Sequence, residues 1–441
     1  MKMMIAAVLL SATALHAAPK VDRHQHILSA DIAAIFNGPA PLPTVAVPDD
    51  LARLLRLRGE RWNDANALAE LYTENAVVLR DFGPNFGWIR GRAEAATTLG
   101  MTYGRPFTIT PAAYRVDGSA GYIVANLTRG QGTAARRHFG VIHFGIEKGA
   151  DGVWRIASES FATPAGTQQP YGADALIKDL DAAGIERAVV LSGAAMHAGS
   201  ITYDDGLGLA KLREENDWVA REVAKYPRRL VGFCSFNPLQ DHAFAEIARC
   251  KEKGFRGVKL HFMEQGVDFL NPAHVPRIRE VFAEINRHGL AIVVHPGNNE
   301  MQGRARTKVL FDQILTATPD IVVQLAHLWG GGAWTDGADE TLAAYAEMMS
   351  SKHPAAKNVW FDMSESAMIA ADLGDKRDEV LRIIAARIRQ IGPERILYGT
   401  DGPGLLGHMA PKAAWEQFRT IVPLTAEELA IVENNVAPYM K

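Results

Sequence analysis

The chain has few means of being held together from outside its core. Among 441 residues there are only two cysteines, Cys234 and Cys250, so cross-links cannot staple a chain of this size. One-signed charge is also missing: 47 Lys and Arg stand against 50 Asp and Glu, and neither sign gathers into a block that would draw nucleic acid or an anionic membrane. The expected partner is therefore a small-molecule substrate, with homo-oligomerisation left open. No apolar run reaches the roughly 20 residues that span a bilayer. The longest, from Ile5 to Leu15, follows Lys2 and precedes the small residues Ala17 and Ala18, which reads as an export signal over residues 1–18. The mature chain is expected to be periplasmic or secreted, with no membrane insertion once the signal is removed. Low-complexity sequence is lacking too, and 48% hydrophobic residues can fill a large core.

What is present divides into two patterns. After a short strand candidate, Val21-Asp22-Arg23-His24-Gln25-His26, the proline-rich stretch 38–48 excludes helix and inner strand. Residues 49–163 then begin helically, with Trp62, Leu68, Leu71 and Tyr72 on one stripe, and continue as strands at 122–127, 138–144 and 153–157. Helices before strands predict an α+β unit. Beyond a second linker, 163–172, short apolar strands alternate with amphipathic helices, the mark of a parallel sheet. Strands are expected near 187–192, 230–236, 257–261, 291–295, 321–327, 359–363 and 396–401, and the strand at 21–26 supplies the eighth. Eight βα units predict an α/β fold, a (β/α)8 barrel of residues 19–48 and 164–441 interrupted by the 49–163 unit.

Such barrels work at the ends of their strands. Here those ends carry His24 and His26, Lys259 and His261, His295, His327 and Asp401. Gathering so many imidazoles and carboxylates at one end of a core is costly to solvation unless a metal or a catalytic task compensates. Residues two apart in a strand share a side, so His24 and His26 are expected to converge on one ion that His295 and Asp401 complete. Weaker candidates lie in the loops on that face: His197, His408, Trp329, and Arg304 and Arg306, which could grip a substrate carboxylate if turned inward. In the 49–163 unit the aromatics Trp62, Tyr72 and Trp154 read as core.

The combination Asp22-x-His24-x-His26, Gly257-Val-Lys259-Leu-His261, His295-Pro-Gly, Ala326-His327-Leu-x-Gly-Gly and Tyr398-Gly-Thr-Asp401-Gly-Pro resembles the amidohydrolase superfamily, in the amidohydrolase-related branch that also contains metal-dependent decarboxylases. The resemblance covers residues 21–35 and about 172–438. It implies that His24, His26, His295 and Asp401 bind a divalent ion, usually zinc, with His327 facing substrate. One ion is common in this branch; in binuclear relatives a carboxylated lysine bridges two, so Lys259 and His261 stand as second-metal or substrate residues. The implied chemistry is hydrolysis of an amide, cyclic amide, lactone or ester by a metal-activated water. In that scheme Asp401 moves the proton, His327 bonds the carbonyl and Asp22 orients the ligands. A non-oxidative carboxy-lyase is the alternative, and a non-catalytic small-molecule-binding protein the third reading. Residues 49–163 resemble the SnoaL-like, ketosteroid-isomerase-type cone, through Trp62 to Tyr72, Ile89-Arg-Gly-Arg, Arg137-His138-Phe-Gly and Gly152-Val-Trp154-Arg-Ile. The insert is expected beside the pocket mouth.

Overall fold

The computed structural model describes residues 18–36, 41–61, 64–80, 87–96, 107–129, 137–162, 169–197, 207–263, 265–297, 302–331, 334–366, 373, 376–402 and 410–440. The expected signal, apart from Ala18, lies outside these residues, as do Trp62 and His408. Among them no helix is long and apolar enough to cross a membrane.

Among the described residues, fourteen strands form two sheets. β1 (Val21–His26) opens the chain, β2 (Tyr72–Arg80), β3 (Gly87–Arg90), β4 (Phe107–Asp117), β5 (Ala120–Arg129), β6 (Arg137–Lys148) and β7 (Trp154–Ala162) follow. Then come β8 (Arg187–Leu191), β9 (Leu230–Ser235), β10 (Gly257–His261), β11 (Ala291–His295), β12 (Val323–Leu325), β13 (Val359–Asp362) and β14 (Ile396–Leu397). The eight-stranded sheet runs β1-β8-β9-β10-β11-β12-β13-β14 with parallel pairing throughout. It closes where Gln25 bridges Gly402, with Arg23 N donating to Tyr398 O at 3.0 Å and Asp401 N to His24 O at 2.7 Å. This is the barrel the strand count predicted, in the α/β class.

Apart from β1 and the candidate site residues, the barrel strands are largely apolar on both faces because both are covered. Val189, Leu191, Phe233, Ala291 and Val293 share one cluster inside, while Ala188, Val190, Val258, Leu260, Ile292 and Val294 belong to the larger cluster against the helices. Helix His274–Arg287 buries Ile278, Val281, Phe282 and Ile285, the three-and-four spacing of a single stripe. Each such side chain contributes about 1.5–3 kcal/mol of burial. A disulfide joins Cys234 on β9 to Cys250 on helix Ala243–Glu252, tying one strand to its covering helix.

The six-stranded sheet, ordered β3-β2-β7-β6-β5-β4, is built wholly between β1 and β8. Helix Asp49–Glu60 lays Leu51, Leu54 and Leu55 in one cluster with Ile123, Ala125, Ile142, Phe144 and Trp154. Two expectations are corrected here. Tyr72 does not lie on a helix; the helix ends at Ala69 and Tyr72 opens β2. The long strand β4 went unread because Pro111 interrupts it, yet β4 is an edge strand with a register shift at that point, where a missing N–H is harmless. The chain leaves and re-enters the barrel at one place: Leu28 N donates to Tyr171 O and Tyr171 N to Leu28 O, both at 2.9 Å.

Candidate metal centre

The top of β1 sets the centre. Its pairing with β8 shifts between Asp22 and Gln25, so β1 carries an extra residue there and simple alternation is not what aligns its histidines. Both nevertheless reach one carboxylate oxygen: Asp401 Oδ1 lies 2.9 Å from His24 Nε2 and 3.3 Å from His26 Nε2. His327 stacks 4.8 Å from the His24 ring and 4.7 Å from that of His295, which in turn lies 3.9 Å from His261. Lys259 Nζ completes the cluster 3.1 Å from His24 Nε2. His24, His327 and Asp401 each offer one ligand atom within 4.8 Å of the others.

Backbone conformation is spent on this arrangement. His327 and Asp401 have φ of 59° and 57°, in the left-handed region that side-chain-bearing residues seldom occupy. The Asp401 N–H is held by His24 O at 2.7 Å, and the His327 N–H donates to Asp362 Oδ1 at 3.0 Å. Gly399 must be glycine, since a Cβ there would come within 2.7 Å of the His24 Cβ.

Each imidazole is turned by a fixed acceptor. Nδ1–H of His24 donates to Asp362 Oδ2 at 3.0 Å, that of His26 to Leu191 O at 2.9 Å, and that of His327 to Ser364 O at 3.2 Å. A carboxylate or a carbonyl can only accept, so Nδ1 carries a proton in all three and Nε2 is the atom each ring turns away from that anchor. Asp362 and Ser364 were not singled out in the sequence; Asp362 ends β13 as Asp401 follows β14, and an acidic residue closing an apolar strand was the available signal. Asp22 ties the two sides of the seam, accepting from His24 N at 3.1 Å, Gln25 Nε2 at 3.0 Å and Thr400 Oγ1 at 2.7 Å.

Electrostatics follow from this wiring. Burial, together with neighbouring cations, keeps His26 and His261 neutral and pushes His327 down to about 4, despite Asp401 nearby. Burial opposes charge on Asp401, but His24 and the bonds from His24 and His26 hold its carboxyl well below the usual range. For His24, burial and Lys259 oppose protonation, yet Asp362 and Asp401 prevail and raise it to about 9. Two Nε2 atoms thus face an ionised oxygen, and such a meeting requires a cation between them, either the proton that His24 holds or a metal ion in its place. Once that proton is displaced, a donor set of imidazoles around a carboxylate fits a divalent ion. His26 and Asp401 keep 18% and 16% side-chain exposure where His24 has none, so the centre opens to solvent on their side.

The weaker candidates fall away from this cluster. Arg304 pairs with Glu347, and Arg306 lies 3.3 Å from Asp268, so both arginines are engaged by carboxylates of the protein. Trp329 is fully buried in the core cluster, edge-on to Trp334. His197 stands in the turn Ala194–His197, near Asp31 and Lys211.

The fold and the centre define a metal-binding (β/α)8 barrel. A model of the amidohydrolase family matches residues 169–435, and the chain belongs to that family. No curated protein matches it. Among solved structures it is similar to 2,6-dihydroxybenzoate decarboxylase from Rhizobium, at 19% identity over 59% of this chain and 85% of that one, TM-score 0.41. It is also similar to a probable 2-pyrone-4,6-dicarboxylic acid hydrolase from Acinetobacter baumannii, at 15% over 60% and 87%, TM-score 0.43. The third is IDCase from Metarhizium anisopliae, at 14% over 94% of each chain, TM-score 0.45. The family is metal-dependent and includes hydrolases and decarboxylases. Its model begins beyond the 49–162 segment, whose SnoaL-like reading is not confirmed by these similarities.

Proposed function

We propose that this chain is an exported metal-dependent hydrolase that cleaves an amide, cyclic amide, lactone or ester bond of a small molecule. One divalent ion, zinc, would be held by His24, His26, His295 and Asp401. The observation that carries the reading is that the Nε2 atoms of His24 and His26, each imidazole pinned through Nδ1, converge on one oxygen of the ionised Asp401 carboxylate. When bound, such an ion lowers the pKa of a water toward neutrality and polarises a carbonyl.

The chain's own groups do the rest. Asp401, unlike the fully buried Asp362, reaches solvent, so it is the carboxylate that can accept the attacking water's proton and return it to the leaving group. His327 needs a revised role, since its Nδ1–H is committed to Ser364 and its Nε2 accepts rather than donates. It serves to orient the water or to hold an ion, and Lys259, buried beside His24, is the cationic donor placed to stabilise charge on the carbonyl oxygen. Hydrolysis is favoured over decarboxylation because the solvent-open carboxylate serves an attacking water and a carboxy-lyase has no need of one. The disulfide between Cys234 and Cys250 supports export to a periplasm or beyond, since such bonds persist in oxidising compartments. We assign residues 49–163 to a SnoaL-like cone placed beside the pocket mouth, since they emerge from the loop after β1.

The test is a panel of amides, lactones, esters and aromatic acids scored for hydrolysis products and for CO2, with metal-stripped protein as control. Metal-dependent hydrolysis with about one ion per chain is expected. Release of CO2 without hydrolysis would replace the hydrolase reading by the lyase.

A further inference from the structure

The lower barrel interior is apolar and is stoppered by the chain's own C-terminal segment: Tyr439 and Met440 join Val21, Val189, Phe233 and Val293 in one cluster. The Tyr439 ring packs edge-on to Phe233 at 5.3 Å between centroids. Two buried polar side chains, Arg23 and Gln324, stand next to this cluster. Both are bound to the tail. The Arg23 guanidinium donates to Asn435 O, and the Tyr439 hydroxyl donates to Gln324 Oε1.

Gln324 passes the contact upward. Its Nε2 donates to Asp362 Oδ2 at 2.7 Å, the same oxygen that accepts from His24 Nδ1 at 3.0 Å. A primary amide has one accepting and one donating end, so filling the oxygen from below leaves the NH2 group to face Asp362. Were the amide reversed, its oxygen would face the Asp362 carboxylate, acceptor against acceptor, and the carboxylate would lose a buried donor. We propose that Tyr439 is a positioning residue for the metal centre, acting through Gln324 and Asp362 to hold His24 with Nε2 toward Asp401. The inference rests on the metal-centre reading above. The tail is then more than a plug.

Tyr439→Phe keeps the ring on Phe233 and removes only the hydroxyl. Zinc affinity of the full chain, measured by competition with a chromophoric chelator, should weaken about 3–10-fold, less than the 10–100-fold typical when a ligand's direct partner is lost. Turnover should fall with KM unchanged. Gln324→Leu should weaken zinc more, and Tyr439→Phe placed on top of it should add nothing, because a relay already cut cannot be cut again. Wild-type zinc affinity in Tyr439→Phe, or additive losses in the double variant, would overturn the relay while leaving the metal centre in place. A parent protein that binds no zinc would overturn the metal-centre reading itself, and the relay with it.

Discussion

Each sheet of this protein buries an ionic cluster, and the two are built to opposite ends. In the insert, Arg58 on helix Asp49–Glu60 donates through Nε to Glu159 Oε2 at 2.9 Å and through NH2 to Oε1 at 2.7 Å, and the Tyr72 hydroxyl donates to Oε2 as well. Charge is neutralised within the group and both carboxylate oxygens are taken. In the barrel, the Nε2 atoms of His24 and His26 converge on the single oxygen Oδ1 of Asp401, and only an exchangeable proton on His24 joins them. A buried cluster that closes on itself is a structural tie; one whose ring nitrogens converge on a single carboxylate oxygen through a removable proton can take a metal cation in its place. The difference lies in which atoms meet and in access: Arg58 and Glu159 are closed off, while His26 and Asp401 keep a side open to solvent.

The sharpest way to break the comparison is to attack the barrel cluster. His24→Ala with His26→Ala should abolish metal binding and activity together, checked by elemental analysis and turnover. Asp401→Asn should leave the barrel folded by circular dichroism while turnover drops about 10²–10⁴-fold, the usual contribution of a positioned proton carrier. Parent-like turnover in that variant would remove Asp401 from proton transfer. The insert cluster should answer in the opposite currency: Glu159→Leu strands the Arg58 charge and should cost about 3–5 kcal/mol of stability. Calorimetry should show that loss while the bound-metal content of the barrel is unchanged. Excising residues 49–163 with a short Gly/Ser bridge, at the point where Leu28 and Tyr171 already meet, should preserve metal binding and shift KM or substrate range. Identical kinetics across the panel would make the insert a bystander.

The smallest effect concerns Glu215, on helix Leu207–Ala224. Burial, with Asp31 and Glu214 adding to it against a bond from Ser29, raises its carboxyl from 4.5 to about 7. A raised carboxyl pKa means that the folded state holds the proton longer. Its stabilising share is complete below pH 4.5 and drains away as pH rises toward 7, by roughly 2–3 kcal/mol. Denaturant midpoints for Glu215→Gln should be flatter than the parent's over that window; parallel curves would exclude Glu215 as the source.

The barrel was legible because its strands repeat one pattern and alternate with helices, such as His274–Arg287, that bury a single apolar stripe. The insert was half legible: β5 to β7 alternate openly, whereas β2 begins at a tyrosine that fits a helix equally well and β4 contains Pro111. For the centre, His24, His26, His327, His295 and Asp401 announced themselves as polar residues at strand ends, and they do come together. Asp362, Ser364 and Gln324 did not, because what marks them is whom they touch. The tautomer of His327, which decides whether it gives or takes a hydrogen bond, depends on Ser364 and cannot be read from the order of residues.

The seam between β1 and Asp401 has a consequence for how the molecule comes into being. His24 is among the first residues of the barrel to leave the ribosome and Asp401 among the last, yet they meet at 2.9 Å. Closing so long a loop is slow and entropically demanding, and nothing local rewards it until the final strand arrives. A bound ion would then record that the chain had been finished: partial chains would hold His24 and His26 without their carboxylate. Metal uptake would become the last event of folding, a clasp that only a completed barrel can fasten.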